Sequence, residues 1–527
     1  MVLSANSDFP AANRPNGDFA TLDVSDTNSD DRNDNENEKS DVFRASSDTA
    51  FDLESEDTQK ELDRIYRKLD RRIIPPLWLL YFLTSFGSSA YGVALTMNMD
   101  KGHSLSQTLN LSAHQLSVAS ALYYVGYIVF DVPINLVMTK VAPHAWLSRI
   151  VISVGVVYAC YAALSNAGGV IAIRLVSGLC GAGTWPGLAY YVSLWYPAHR
   201  TARRIGYYFT AAQVSAATAG LFSAAFQTID GNRGLKGFQW FFLVYGVFTV
   251  TLGVSLLWWL PGRPSEFNEL YDESKHVDTT KKTLYKSLLN GTFSKHPLSP
   301  LEQQLHAADM SQRYLDVKWT LRDLLNVFLD LRIWPLVIMY FGVVGTGYGI
   351  VVAGTSIIKS TNASLTPIQL SLLFCPIWVC DLLSILAITP LSDRYKNRPL
   401  FFCGATVVII VGMVVNTYAP GSWPRYVGLL ITGLGLGPTV PICMTWAAEI
   451  FMPKYQDVGV AATAALVSGL GNLGSVVTTY ALYKGWSDDV ERGFKYSNMT
   501  VVGILGASII AALVLGFTEH RRLKGGA

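Results

Sequence analysis

Residues 238–260 read FQWFFLVYGVFTVTLGVSLLWWL, and this run contains no Asp, Glu, Lys or Arg. A helix needs about 20 consecutive apolar residues to cross the hydrocarbon core of a bilayer. The main alternative is a large soluble protein with buried helices. Length decides against it, because runs of this kind recur along the whole chain. The stretch therefore predicts a membrane-spanning helix.

The apolar runs form two groups of six with a polar segment between them. We place them near 74–97, 114–138, 147–166, 169–194, 204–228, 238–260, 333–358, 367–390, 398–417, 424–448, 457–482 and 497–517. Two groups of equal size indicate two related helical bundles, as in many transporters. We predict an all-α membrane protein with 12 transmembrane helices in two six-helix bundles.

This layout divides the chain into five predicted segments. They are a disordered acidic cytosolic tail (1–72), an N-terminal bundle (73–262), a cytosolic linker (263–332), a C-terminal bundle (333–518) and a short cytosolic tail (519–527). The first 60 or so residues are rich in Asp, Glu, Asn and Ser and too poor in apolar residues to bury a core. Nothing there resembles the apolar core of a signal peptide.

Composition excludes several classes of function. Charged residues make up 15% of the chain, against about 25% in soluble proteins. The net charge of +2 gives no basic field for nucleic acid. The six cysteines lie inside apolar runs without a CxxC pair, so we expect no disulfide framework, metal or cofactor. The sequence has no P-loop, HExxH or GxSxG motif, which argues against an ATP-driven pump or an enzyme.

Basic residues mark alternate loops, and short loops rich in Lys and Arg stay in the cytosol. The basic positions are Arg64, Arg67, Lys68, Arg71, Arg72, Lys140, Arg200, Arg203, Arg204, Arg394, Lys396, Arg398, Arg521, Arg522 and Lys524. Both termini are therefore predicted to be cytosolic. Two sequons fall in the opposite loops and predict glycosylation at Asn110 and Asn362.

Across residues 65–520 several motifs occur together and in order. They are Leu69-Asp70-Arg71-Arg72-Ile73-Ile74-Pro75, Gly126-Tyr127-Ile128-Val129-Phe130-Asp131-Val132-Pro133-Ile134-Asn135, Arg174-x-x-x-Gly178, Tyr190-Tyr191-Val192-Ser193-Leu194-Trp195-Tyr196-Pro197, Leu391-Ser392-Asp393-Arg394 and Gly471-Asn472-Leu473-Gly474. With these motifs the chain resembles the major facilitator superfamily, and within it the fungal anion:cation symporter (allantoate permease-like) branch. The resemblance implies the major facilitator fold.

The resemblance also implies a function: proton-coupled symport of a small organic anion by alternating access. We expect a monomer in the plasma membrane, with the anion, protons and the lipid bilayer as its partners. Where the family usually has an Asp-Arg pair in the first span, this chain has Gly87-Ser88. This departure leaves open a proton-antiport exporter of a secondary metabolite, and a nutrient receptor that moves nothing is a third alternative.

Two ionisable residues lie deep within apolar runs, where a charge costs about 2.5–3.5 kcal/mol on insertion scales and marks a candidate site. Arg174 matches the family pattern in the fourth run and is predicted to bind an anionic substrate, the alternative being a cation that bonds backbone carbonyls. Asp381 lies near the centre of the eighth run and is predicted to carry the coupled proton. Its alternative is a neutral carboxyl that hydrogen-bonds between helices.

The remaining candidates are polar residues with weaker signals. Gln213 and Asn472 are predicted to line the substrate site, or else to hydrogen-bond between helices. The other group is predicted to form cytosolic gates and comprises Asp131, Asn135, Asp393, Arg394 and Glu449.

Overall fold

A computed structural model of the 527-residue chain describes residues 55–262, 264, 297–311, 326–362, 364–483, 486, 488–489 and 492–525. Within these ranges the regular structure is entirely helical. This is the outcome that lipid imposes, because a helix satisfies its own backbone hydrogen bonds where no water is present.

Twelve spans are numbered here in chain order. Their helices are Glu56–Ala94 (span 1), Ala113–Lys140 (2), Pro143–Cys160 with the 3₁₀ turn Tyr161–Ala163 (3), Ala167–Gly181 and Thr184–Trp195 (4), Ala198–Thr228 (5), Gly237–Trp259 (6), Ile333–Thr361 (7), Pro367–Tyr395 (8), Arg398–Tyr418 (9), Ser422–Gly471 (10 and the start of 11), Leu473–Val477 with the π-helical turn Thr478–Leu482 (rest of 11) and Lys495–Gly525 (12). Short helices Met99–Lys101, Leu105–Thr108, Asn232–Gly234 and Pro300–Ser311 lie in the connections.

The segment Ser422–Gly471 contains two spans. A straight helix of its 50 residues would be about 75 Å long. Yet Leu436 and Ser468 both line the same cavity, so the chain must double back between them. Ten helices of the described chain are long and apolar enough to cross a membrane, and Ala113–Lys140 and Leu466–Leu482 complete the set. The predicted all-α fold with 12 transmembrane helices is confirmed.

Span 1 begins earlier than its apolar run. Leu62, Ile65, Tyr66 and Leu69 are buried and follow the spacing of one helix face, so residues 60–72 extend the helix on the side predicted to be cytosolic, and we call them its cytosolic extension. The disordered tail predicted for 1–72 must therefore be corrected over this part. The apolar stripe was not recognised from the sequence because charged residues surround it. Residues 1–54 lie outside the described residues.

Part of the predicted linker 263–332 is also helical. The helix Pro300–Ser311 packs on the cytosolic extension of span 1, where the Tyr66 hydroxyl donates to Asp309 over 2.6 Å. Lys68 donates to Glu302 over 2.7 Å. Burial alone would raise the pKa of Glu302, but this bond and others at the carboxyl outweigh burial and lower it. Most of the linker lies outside the described residues.

The two halves of the protein meet closely at their outer end, opposite the basic loops. Gln227 at the end of span 5 donates to the Ser371 hydroxyl of span 8 over 2.9 Å, and the Ser223 hydroxyl lies 3.1 Å from the same oxygen. A Cβ atom at Gly92 of span 1 would overlap the backbone oxygen of Val351 in span 7. Polar bonds and close backbone packing therefore close this end.

Candidate functional site

A cavity lies between the two halves, on the cytosolic side of the outer contacts. Both halves supply its walls: spans 1, 2, 4 and 5 from one side and spans 7, 8, 10 and 11 from the other. Its free space, counted together with space that is open to solvent, is about 1110 Å³. A site shared by two bundles is what alternating access requires.

The lining is aromatic and rich in hydroxyls. The polar side chains from the first half are Tyr81, Thr84, Ser85, Ser88, Ser89, Tyr123, Tyr127, Thr184, Gln213 and Ser215, and those from the second are Tyr340, Tyr348, Asp381, Ser468 and Asn472. Of the described residues that line the cavity, Asp381 is the one with a carboxyl, and none is Lys, Arg or His. The sequence predicted cavity positions for Gln213 and Asn472, and the structure brings both to this wall.

Asp381 and Gln213 face each other across the two halves. Asp381 is 2% exposed, and the side-chain amide of Gln213 lies within hydrogen-bonding reach of its carboxyl. Among described residues, Asp381 Oδ1 and Gln213 Oε1 have no hydrogen-bond partner. The contact links span 5 to span 8 halfway along both helices, at the depth where transporters bind substrate.

Arg174 lies behind the cavity wall. It is fully buried, and its Nε donates to the backbone oxygen of Ala119 over 3.2 Å. Its guanidinium carbon lies 4.0 Å from the ring centroid of Tyr91 and 4.4 Å from that of Tyr123, which are cation–π distances. Tyr123 lines the cavity and Arg174 does not. The structure therefore separates Arg174 from the substrate space by one tyrosine ring.

The side chain of Asp131 binds the backbone at a break in span 4. The helix is interrupted between Gly181 and Thr184, and Gly183 has a φ of +75°, a left-handed conformation that glycine adopts without strain. The freed N–H of Gly183 donates to Asp131 Oδ1 over 2.9 Å. Asp131 thereby fixes span 2 to the break. Asn135 follows in the same helix, but its side chain lies outside the described part.

Charges also cluster at the cytosolic ends of spans 8, 9 and 10. Arg398 donates to Asp393 and to Glu449, both over 2.7 Å. The structure thus brings two of the predicted gate residues, Asp393 and Glu449, together around Arg398. Arg394 is exposed and forms no ion pair with any described residue. All three members of the cluster belong to the second half of the protein.

The predicted sequons lie at the outer end. Asn110 is exposed and has a φ of +47° after the short helix Leu105–Thr108. Asn362 caps the end of span 7. Glycosylation of either stays a prediction.

Sequence reasoning missed the tyrosines around Arg174 and the hydroxyls on span 1. The hydroxyls on span 1 could have been found from the spacing of Thr84, Ser85, Ser88 and Ser89, which places small polar groups on one helix face within an apolar run. Single hydroxyls are common in transmembrane helices, so the pattern becomes informative once the facing helices are known.

Known proteins resemble the chain in sequence and in fold. The sequence profile of the Major Facilitator Superfamily matches residues 77–474. Vitamin H transporter 1 of Schizosaccharomyces pombe (strain 972 / ATCC 24843) is 46% identical over 479 residues, which cover 89% of this chain and 83% of that protein. A putative tartrate transporter of Agrobacterium vitis is 28% identical over 458 residues, covering 86% of this chain and 95% of that protein.

Among solved structures, a bacterial homologue of the human lysosomal transporter Spinster, inward-facing and unoccupied, matches with a TM-score of 0.61. Its identity to this chain is 14%, and the match covers 84% of this chain and 96% of that one, so the likeness is one of fold. Twelve spans, a cavity shared by two bundles and the match over residues 77–474 all agree. The chain belongs to the major facilitator superfamily and is therefore a multi-pass membrane transporter, not an enzyme.

Proposed function

We propose that this protein is a proton-coupled symporter of a small organic anion, with vitamin H (biotin) as the first candidate cargo. The protein would act as a monomer in the plasma membrane and import its cargo by alternating access. The relative at 46% identity supports the cargo class, because it is named a vitamin H transporter.

One observation carries the proposal: the cavity wall holds a single carboxyl, Asp381, among otherwise neutral described residues. A buried carboxyl that faces a substrate space can bind a proton on one side of the membrane and release it on the other. When Asp381 is protonated, an anionic cargo meets no negative charge in the cavity. Proton and anion would then bind together and travel as a neutral pair.

Recognition of the cargo carboxylate is assigned to the hydroxyl groups of the first half. Ser88, Ser89 and Tyr123 line this side, and hydroxyls donate to carboxylates without introducing a charge into the cavity. Arg174 lies behind Tyr123 and supplies a positive potential through its ring. Because that charge is buried in a low-dielectric region, it acts over a longer distance than a solvated one would.

Arg174→Ala should therefore weaken transport without removing a direct contact. We expect the half-saturating concentration of cargo to rise at least about tenfold, which corresponds to about 1.4 kcal/mol of lost attraction. Arg174→Lys should recover part of this effect, since the charge stays while the stacking on Tyr91 and Tyr123 is lost. Uptake kinetics of purified variants in vesicles give the measurement.

The exposed Arg233 provides the matched control, because Arg233→Ala removes a charge that forms no ion pair with any described residue. Unchanged half-saturation in a well-folded Arg174→Ala variant would remove Arg174 from substrate recognition.

Alternating access requires gates at both ends. The outer end is closed by the contacts of Gln227 and Ser223 with Ser371. At the cytosolic end, the cluster of Arg398 with Asp393 and Glu449 is proposed to hold spans 8, 9 and 10 as one body during the movement. Asp131, with Asn135 beside it, would do the same for spans 2 and 4.

The proposed function is tested by uptake of labelled biotin into cells that lack their own uptake system. We expect saturable accumulation that rises as the external pH falls and that a protonophore abolishes. Unlabelled tartrate, nicotinate and pantothenate at the same concentration report on cargo range. Saturable export of biotin, or specific binding without any flux, would contradict the proposal.

Loss of either sequon by Asn110→Gln or Asn362→Gln should alter gel mobility if that site is glycosylated.

A further inference from the structure

Asp381 and two other side chains that line the cavity each carry a polar atom without a hydrogen-bond partner among the described residues. Asp381 Oδ1, Gln213 Oε1 and Trp378 Nε1 are buried and have no hydrogen-bond partner among the described residues. All three side chains line the cavity and are more than nine-tenths buried. The set comprises two acceptors and one donor.

Such a set is costly to leave unpaired in a folded protein. Buried polar atoms nearly always have partners, and each exception calls for an explanation such as a ligand. Two of these atoms belong to span 8 and the third to span 5 on the facing half, so one ligand held between the halves could pair with all of them. That ligand must present two donors and one acceptor.

We propose that Asp381, Gln213 and Trp378 form a subsite for a ureido group, N–H–C(=O)–N–H, and that the cargo is an anion carrying this group. The two oxygens accept the two N–H bonds, and the Trp378 indole N–H donates to the carbonyl. The inference rests on the proposed function and deepens it, because biotin joins a cyclic urea to a carboxylate through a flexible chain.

The helix geometry supports this assignment. Trp378 and Asp381 are three residues apart on span 8, so their side chains share a helix face. Gln213 reaches the same place from span 5 of the other half. Its side-chain amide already lies beside the Asp381 carboxyl, and an amide presents the same N–H and C=O groups as half of a urea. The neighbouring amide of Gln213 is therefore a chemical analogue of the group proposed to bind beside Asp381.

The subsite also links cargo to proton. A protonated Asp381 keeps one oxygen as an acceptor, so it can hold the ureido N–H and the coupled proton together. The carboxylate end of the cargo would lie toward Ser88, Ser89 and Tyr123, on the Arg174 side. The first half would then bind the carboxylate end of the cargo. Asp381 and Trp378 of the second half, together with Gln213 of the first, would bind the ureido end.

The test compares two competitors of labelled biotin in vesicles that contain the purified full-length protein. Desthiobiotin keeps the ureido group and the carboxylate. Lipoate has a similar carboxylate chain on a ring without N–H groups. In the unmodified protein we expect desthiobiotin to compete at least about tenfold more strongly than lipoate, since a site built for hydrogen bonds rejects analogues that lack them.

Trp378→Phe removes the indole N–H and keeps an aromatic ring. We expect it to weaken biotin and desthiobiotin by about tenfold and leave lipoate unchanged, so that the preference falls. Trp185→Phe is the matched control, because Trp185 lines the cavity beside Tyr81 and Phe209 and should not affect the preference.

Three outcomes decide the matter. Equal competition by desthiobiotin and lipoate in the unmodified protein overturns the subsite, while biotin transport itself leaves the proposed function standing. This comparison needs no variant, so a Trp378→Phe protein that fails to fold does not prevent the decision. A preference for desthiobiotin that Trp378→Phe leaves intact removes Trp378 from the subsite. Absence of any biotin transport overturns the subsite and the proposed cargo together.

Discussion

Asp381→Asn should abolish proton-driven accumulation of cargo and leave exchange of cargo across the membrane largely intact. Asparagine keeps the size and most of the hydrogen bonding of the side chain but cannot bind a proton reversibly. A symporter without its proton site can still carry cargo down a gradient. We expect initial uptake to lose its dependence on external pH, and accumulation under an acid-outside gradient to fall at least about tenfold, the ratio that one pH unit supports.

Asp131→Asn is the matched control for this experiment. Both carboxyls are buried within spans, at 3% and 2% exposure, but Asp131 bonds the Gly183 N–H and does not line the cavity. Asparagine at position 131 keeps an oxygen that accepts from the Gly183 N–H, so Asp131→Asn should retain both transport and its pH dependence. An Asp381→Asn protein with the pH profile of the unmodified chain would show that the proton binds elsewhere.

Gly92→Leu should hold the outer end open and stop transport without unfolding the protein. Any side chain at Gly92 would overlap the backbone oxygen of Val351, and one at Gly220 would overlap that of Ser371. Both overlaps would lie between the two halves, so they disappear when the outer end opens. Overpacking of about 3 kcal/mol would reduce the closed population roughly a hundredfold.

The measurement is labelling from outside of a cysteine placed at Ser89, which lines the cavity, in a chain without its six native cysteines. We expect an impermeant thiol reagent to label the Gly92→Leu variant much faster than its parent. Gly404→Leu is the control, because a Cβ at Gly404 meets no atom within 4 Å. Labelling and uptake equal to the parent in Gly92→Leu would contradict the proposed outer gate.

The fold was largely predictable because lipid imposes a simple rule on sequence. Apolar length alone located the spans, since each must cover the same thickness of bilayer. Two features escaped this rule. The cytosolic extension of span 1 and the helix Pro300–Ser311 are amphipathic, and their charged residues resemble those of a solvated linker.

The candidate site was predictable in part. Burial of charge in lipid is costly enough to single out Asp381 and Arg174 from the sequence. Whether such a residue faces the cavity depends on the rotation of its helix and on its neighbours. Arg174 is covered by Tyr123, which comes from another span, so no pattern within span 4 could reveal it.

The central claim is that Asp381 carries a proton together with an anionic cargo through the cavity. It is tested most directly by purified protein in vesicles with an imposed pH gradient, acid outside, and labelled biotin as the probe. At one proton per monovalent anion, a gradient of two pH units should drive accumulation toward about a hundredfold, with matching alkalinisation outside. Biotin that only equilibrates across the membrane under this gradient, with no proton movement, would contradict the account.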